Sequence, residues 1–167
     1  MQKVEFADKE LKYHHDTIKG RIAETLIQEL FLNMNYNVYR YGMENTVPGI
    51  MELLKGINSD VAQEIRRMPD FVIQNKNSKK VYFIEVKFRA NGIFNYDSLK
   101  DNYPYTNAHI ILVSKKHIKC LSVKELLNGK HFTTDCGNYL GNRIEFDFDK
   151  ELIREYCQFA VQFFQDV

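Results

Sequence analysis

A mixed α/β domain, built on a central sheet with flanking helices, is what the sequence predicts, and three patterns predict it. Residues 17–34 set Ile18, Ile22, Ala23, Leu26, Ile27, Leu30, Phe31 and Met34 at the i, i+4 spacing of an amphipathic helix. Two strand-like segments, 70–74 and 80–88, are joined by the polar residues Asn75, Lys76, Asn77, Ser78 and Lys79, which suits a hairpin with a short loop. Residues 108–114 contain the nearly continuous apolar run Ile110, Ile111, Leu112 and Val113, the mark of a strand buried on both faces.

The remaining elements fall between these. Residues 38–41 read as a strand after an Asn-rich break, and residues 48–67 as two short helices with Ser59 as N-cap of the second. The stretch 44–68 therefore looks like a helical insertion. A short helix is expected over 95–103, ended by Pro104, and another from Ser122 to about Leu127. Ile144, Phe146 and Phe148 alternate as a strand would, and residues 150–164 close the chain as a helix with Leu152, Ile153, Tyr156, Phe159, Ala160 and Phe163 on one side.

At 167 residues, with no repeat, low-complexity tract or linker, the prediction is one domain over 1–167. Apolar residues make up 44% and charged residues 27%, which excludes a disordered or fibrous chain. No apolar run approaches the roughly 18 residues of a membrane span and no basic-then-apolar leader opens the chain, so a cytoplasmic protein without membrane contact is expected. Cys120, Cys136 and Cys157 are an odd number at wide spacing, which indicates reduced thiols rather than disulfides or structural zinc. The net charge of +1 gives no broad positive field, so any affinity for nucleic acid must be local. The local candidates are Arg66 with Arg67, Lys79 with Lys80, Lys87 with Arg89, and the run Lys115, Lys116, His117, Lys119. Each also reads as a solvated face.

One residue breaks the pattern. Glu85 sits inside Val81-Tyr82-Phe83-Ile84-Glu85-Val86-Lys87-Phe88, a strand otherwise mostly apolar on both faces, where a carboxylate is costly unless something binds it. Alternation puts Glu85 and Lys87 on one face. With the hairpin turn centred between Asn77 and Ser78, Asp70 falls opposite Glu85, about 5 Å away at the β-carbon. Two acids so close call for a shared proton or a cation between them, and oxygen ligands favour Mg²⁺ or Mn²⁺. The alternative is a cross-strand salt bridge of the two acids with Lys87. Pro69 marks a strand start at Asp70, Gly20 would permit close backbone approach on the first helix, and Glu24 lies at the margin of that helix's apolar stripe.

Pro69-Asp70 and Glu85-Val86-Lys87, with Glu24 as an upstream helical acid, resemble the PD-(D/E)XK nuclease superfamily, and the element order over 17–114 is similar to its αβββαβ, restriction-endonuclease-like core. The segment Lys19-Gly20-Arg21-Ile22-Ala23-Glu24 and the strand carrying Arg40 resemble small endonucleases of the archaeal Holliday-junction resolvase kind, although the insertion at 44–68 departs from that compact pattern. The resemblance implies a metal-dependent endonuclease acting on nucleic acid, DNA above all. It further implies that Asp70, Glu85 and the Val86 carbonyl hold Mg²⁺ or Mn²⁺, that Glu24 assists, and that Lys87 is the positive group which orients water and stabilises charge. Lys100, Arg89, Lys115, Lys116 and Lys119 are expected to meet the nucleic acid. Tyr96 and Tyr103, on the same short helix as Lys100, are also placed to touch substrate, although Tyr103 reads rather as packing; His14 and His15 read as solvated side chains. The surplus of aromatics in the last helix suggests a homodimer. A second reading keeps the fold without the reaction, as a catalytically inactive module that binds nucleic acid or protein.

Overall fold

The computed structural model describes residues 2–42, 49–99 and 102–166. The polar link 75–79 closes a hairpin, as expected: Asn75 Oδ1 accepts from the N–H groups of Asn77 and Ser78, both at 2.9 Å, and so holds the turn between β2 (Phe71–Asn75) and β3 (Val81–Phe88). Phe71 stands opposite Ile84 and Val72 opposite Phe83, the register read from the sequence. β1 (Tyr36–Arg40) pairs antiparallel with β2, β4 (His109–Val113) runs parallel to β3, and β5 (Ile118–Ser122) pairs antiparallel with β4. The sheet is thus five strands in the order β1-β2-β3-β4-β5, mixed in sense.

Both faces are covered, so β4 is buried at every position, and Ile110–Val113 are apolar without a break. Ile111 and Val113 join the core beneath α1 (Gln2–Asn33), while Ile110 and Leu112 join a second core with Phe94, Leu99 and Phe132. The last helix, labelled α5 below (Lys150–Phe164), lies beside α1 with Ile153, Tyr156, Ala160 and Phe164 buried. Its start is fixed by Asp149, whose carboxylate accepts from the Glu151 and Leu152 N–H groups. Phe159 and Phe163 stay exposed and line an apolar groove with Ile18, Ile22 and Leu26.

Between the adjacent strands β1 and β2 the chain makes the expected excursion. It carries α2 (Ile50–Leu53) and α3 (Asp60–Arg66), the latter capped by Ser59, which accepts from the Ala62 N–H. The excursion has its own small core of Leu54 and Ala62 with Ile50, Ile65 and Met68. Residues 43–48 of it lie outside the described residues.

Five expectations need correction. α1 begins near Gln2 rather than at 17; residues 8–16 are exposed and lack an apolar stripe, but they hold no Gly or Pro to stop a helix that propagates from the packed half. The first strand covers Tyr36–Arg40, two residues earlier than read. The short helix over 95–103 is a single 3₁₀ turn, Tyr96–Leu99. β5 occupies part of what reads as a basic run, because Ile118, Cys120 and Leu121 supply a buried strand between lysines. The stretch 144–148 forms no strand. Phe146 turns into the core against Phe31, Tyr82 and His109, Ile144 is 96% exposed, and the segment is held by Tyr82 donating to the Glu145 carbonyl at 2.8 Å and Asp147 N–H donating to the Tyr36 hydroxyl at 3.1 Å. α4 (Val123–Leu127) matches its prediction, with a reciprocal capping box between Ser122 and Glu125. No helix among the described residues is long and apolar enough to cross a membrane.

Candidate active site

The site forms where β2 stops. The ladder to β3 ends at Phe71–Ile84, and one residue further the Asp70 carboxylate takes over: its Oδ2 accepts from the Val86 N–H at 2.7 Å. A side chain thus occupies the hydrogen-bonding position the next strand residue would have filled. Continued two pairs past the ladder's end, this register would set Pro69 opposite Val86, and proline has no N–H to offer the Val86 carbonyl, which points to that side of the strand with its own N–H. Asp70 is anchored on its other side by its carbonyl, which accepts from the Tyr41 N–H at 2.9 Å.

Glu85 shares this corner and is only 8% exposed. Its Oε1 accepts from the Lys87 ammonium, two residues along the same face, while its Oε2 is buried with no hydrogen-bond partner. Leaving a buried carboxylate oxygen without a donor costs about 1–3 kcal/mol or more. Burial, followed by the neighbouring Glu85 charge, pushes the Asp70 carboxyl up to about 8, against the opposing pull of Lys87 and the Val86 N–H. For Lys87, burial alone would lower the ammonium's pKa, but Glu85 and Asp70 outweigh it and hold the group above its ordinary value. The lysine is therefore a cation here. Of the expected salt bridge of both acids with Lys87, the Lys87–Glu85 pair forms within β3, and it leaves one oxygen of Glu85 unsatisfied.

Two cavities meet at Asp70 and Lys87. One, of about 520 Å³, opens toward α1 and is lined by Asp16, Lys19, Gly20, Glu24 and Arg89. Glu24 lies close enough to Asp70 to raise its pKa further, and its Oε2 is 3.5 Å from an Arg40 nitrogen. Gly20 borders this opening, but a Cβ there would meet nothing within 4 Å, so the expected close backbone approach is absent. The second cavity, of about 340 Å³, lies on the other side of the acids beneath α3.

The structure brings Asp70, Glu85, Val86, Lys87, Glu24 and Arg89 together. Arg89 is exposed, stacks its guanidinium 5.6 Å from the Phe94 ring centre, and donates its main-chain N–H to Val113. Lys115 and Lys116 sit on the turn after β4, near Arg89, with Lys116 exposed. Lys119 does not belong with them. It is 3% exposed, points inward, and donates to the Thr133 and Thr134 carbonyls at 2.8 and 3.0 Å, so its ammonium is spent on the protein's own backbone. Lys100 lies outside the described residues. His14 and His15 are exposed, as expected.

Tyr103, weighed as a substrate contact but read rather as packing, faces the second cavity. It is buried, but its hydroxyl has no hydrogen-bond partner, and its nearest charges include Glu85 and Asp70. A tyrosine before a proline carries no signal in sequence that separates a packing ring from one whose hydroxyl faces a cleft.

Among the described residues, no three His, Cys, Asp or Glu side chains form a metal-binding group. What the corner offers a cation is two carboxylates and one main-chain carbonyl, all hard oxygen donors, with the unsatisfied Glu85 Oε2 among them. The donor chemistry fits Mg²⁺ or Mn²⁺. No protein-family model matches this chain, and no curated protein does.

Proposed function

We propose that the protein is a metal-dependent endonuclease of the PD-(D/E)XK kind, hydrolysing phosphodiester bonds in nucleic acid, DNA above all. The observation that carries this reading is the convergence of Asp70, Glu85 and Lys87 at a strand end, with a buried carboxylate oxygen left for a ligand and an ammonium beside it. The element order α1, β1, β2, β3, 3₁₀ turn, β4 supports an αβββαβ core, the turn standing where the middle helix would be and the excursion with α2 and α3 inserted between β1 and β2.

Asp70, Glu85 and the Val86 carbonyl would hold Mg²⁺ or Mn²⁺, which supplies a water that ionises near neutral pH and offsets charge on the phosphate. The chain's own groups do the rest. Lys87, kept cationic by its two acids, stabilises negative charge that develops on the phosphate and orients the attacking water. It is a poor proton acceptor for the same reason. Glu24, reached from α1 and restrained by Arg40, orients water on the outer side of Asp70.

Incubation of the protein with plasmid, branched DNA and RNA, in Mg²⁺, Mn²⁺ or EDTA, tests the reaction and its substrate together. Cleavage in either metal and none in EDTA is expected, with Asp70→Ala, Glu85→Ala and Lys87→Ala each losing about 10²- to 10³-fold. Near wild-type cleavage by folded single variants would remove the site assignment. Lys87→Arg separates charge from proton transfer: a charge role leaves substantial activity and an unshifted pH–rate profile.

A further inference from the structure

The cavity beneath α3 carries polar groups that the acid pair does not use. Its volume of about 340 Å³ falls in the range of about 300–1,000 Å³ common to small-molecule sites. Three separate stretches wall it: Gln63, Arg66 and Arg67 from the end of α3, Ser98 from the 3₁₀ turn, and Tyr103. Tyr103 is 5% exposed and its hydroxyl lacks any partner, the second unsatisfied buried oxygen of this cavity after Glu85 Oε2. Buried hydroxyls are nearly always bonded, so one that is not marks a place where a ligand supplies the acceptor. Burial and the two nearby carboxylates keep this hydroxyl protonated, so it is a donor, and Arg67 is its cationic neighbour. Arg67 also donates to the Asn102 carbonyl at 3.1 Å, which ties α3 to the segment that carries Tyr103 and holds the two walls in register. A guanidinium fork and a hydroxyl, both donors, suit phosphate oxygens. Met68 and Leu99 add an apolar surface beside them.

We infer that this cavity is a nucleotide subsite, in which Arg67 and Tyr103 take the phosphate oxygens of the nucleotide adjoining the one whose phosphate lies at Lys87, with Met68 and Leu99 against its sugar or base. The class of ligand rests on the phosphodiester reading above. The helical excursion between β1 and β2 then acts as one wall of the substrate channel.

The test is an anisotropy titration in EDTA of an end-labelled single-stranded DNA of five nucleotides, against wild type, Tyr103→Phe, Arg67→Gln and, as a control at the exposed start of α5, Lys150→Gln. The dissociation constant is expected to rise about three- to tenfold for Tyr103→Phe and about tenfold or more for Arg67→Gln, with the control within about twofold. Thermal melting without DNA adds a readout that a packing role would move the other way. Loss of an unpartnered buried hydroxyl leaves the Tyr103→Phe midpoint unchanged or raised, whereas a hydroxyl with a structural partner would leave it lowered. Wild-type affinity in both variants overturns the subsite, as does weakened binding by Tyr103→Phe with a lowered midpoint, or no measurable binding by wild type. If wild type binds through Tyr103 and Arg67 yet cuts no phosphodiester, the subsite stands and the hydrolytic reading falls. If wild type cuts and both variants match it in affinity and rate, the reverse holds.

Discussion

Replacing Asp70 by asparagine should make the metal-free protein more stable near neutral pH, and the structure sets the size and the pH window. The Asp70 carboxyl titrates at about 8 in the folded chain against an ordinary 3.8, burial being the first cause and Glu85 the second. The folded state therefore binds this proton more tightly than the unfolded state, and stability falls as pH rises between those two values. The wild type therefore loses stability from this group between pH 5 and pH 7. Solvent that reaches the carboxyl through the two cavities holds the loss to about 1–2 kcal/mol, a fall in melting midpoint of roughly 3–7 °C for a chain of this size. Asp70→Asn keeps an oxygen to accept the Val86 N–H and has nothing to titrate, so its stability should be flat over the same interval. The assay is calorimetry in EDTA at pH 5, 6 and 7 at fixed ionic strength, followed by Mg²⁺ at about ten times its dissociation constant. Mg²⁺ should return about 1.4 kcal/mol to the wild type and much less to Asp70→Asn. A wild-type slope in the asparagine variant, or a lower midpoint than wild type at pH 7, would refute both the proton held on Asp70 and the burial and crowding that hold it there.

Other outcomes follow from the same geometry. Glu125 behaves in the opposite sense: burial would raise its pKa, but the Ser122 N–H, Lys130 and Arg143 bring it down to about 2, so it adds up to about 3 kcal/mol that is present above pH 4.5 and lost as pH falls toward 2. Glu125→Gln should be less stable at pH 7 and should lose the corresponding part of its acid-unfolding slope; an unchanged acid limb in urea titrations counts against this. Lys119→Met should lower stability by about 1–3 kcal/mol, since the Thr133 and Thr134 carbonyls lose their donor, and should leave the salt dependence of DNA binding as it was. Neutralising Lys115 and Lys116 should instead cost little stability and flatten the log–log salt slope by up to about one per lost phosphate contact. Phe146→Ala should cost about 3–5 kcal/mol while Ile144→Ser stays within about 0.5 kcal/mol, which chemical denaturation resolves easily.

Local pattern determined a good deal of this protein. Alternation, the polar turn at 75–79 and the side-chain period of two were enough to put Asp70 opposite Glu85, because hairpin register is a local property once turn and strands are set. The unbroken apolar run Ile110–Val113 likewise declared a strand covered on both faces, and Ser59 and Ser122 announced their helices through cap chemistry that needs only neighbouring residues. Tertiary structure decided what depends on a distant partner. Lys119 reads like Lys115 and Lys116 in sequence, and only the 133–136 loop folding over it makes it an interior cation. Ile144, Phe146 and Phe148 alternate like a strand but gain no pairing partner; Phe146 and Phe148 pack on Phe31 and Tyr82, the Tyr36 hydroxyl accepts from the Asp147 N–H, and Ile144 is left in solvent. The oxygens left without partners, on Glu85 and Tyr103, are invisible to any pattern, since whether a buried polar atom is satisfied depends on every chain segment that comes near it.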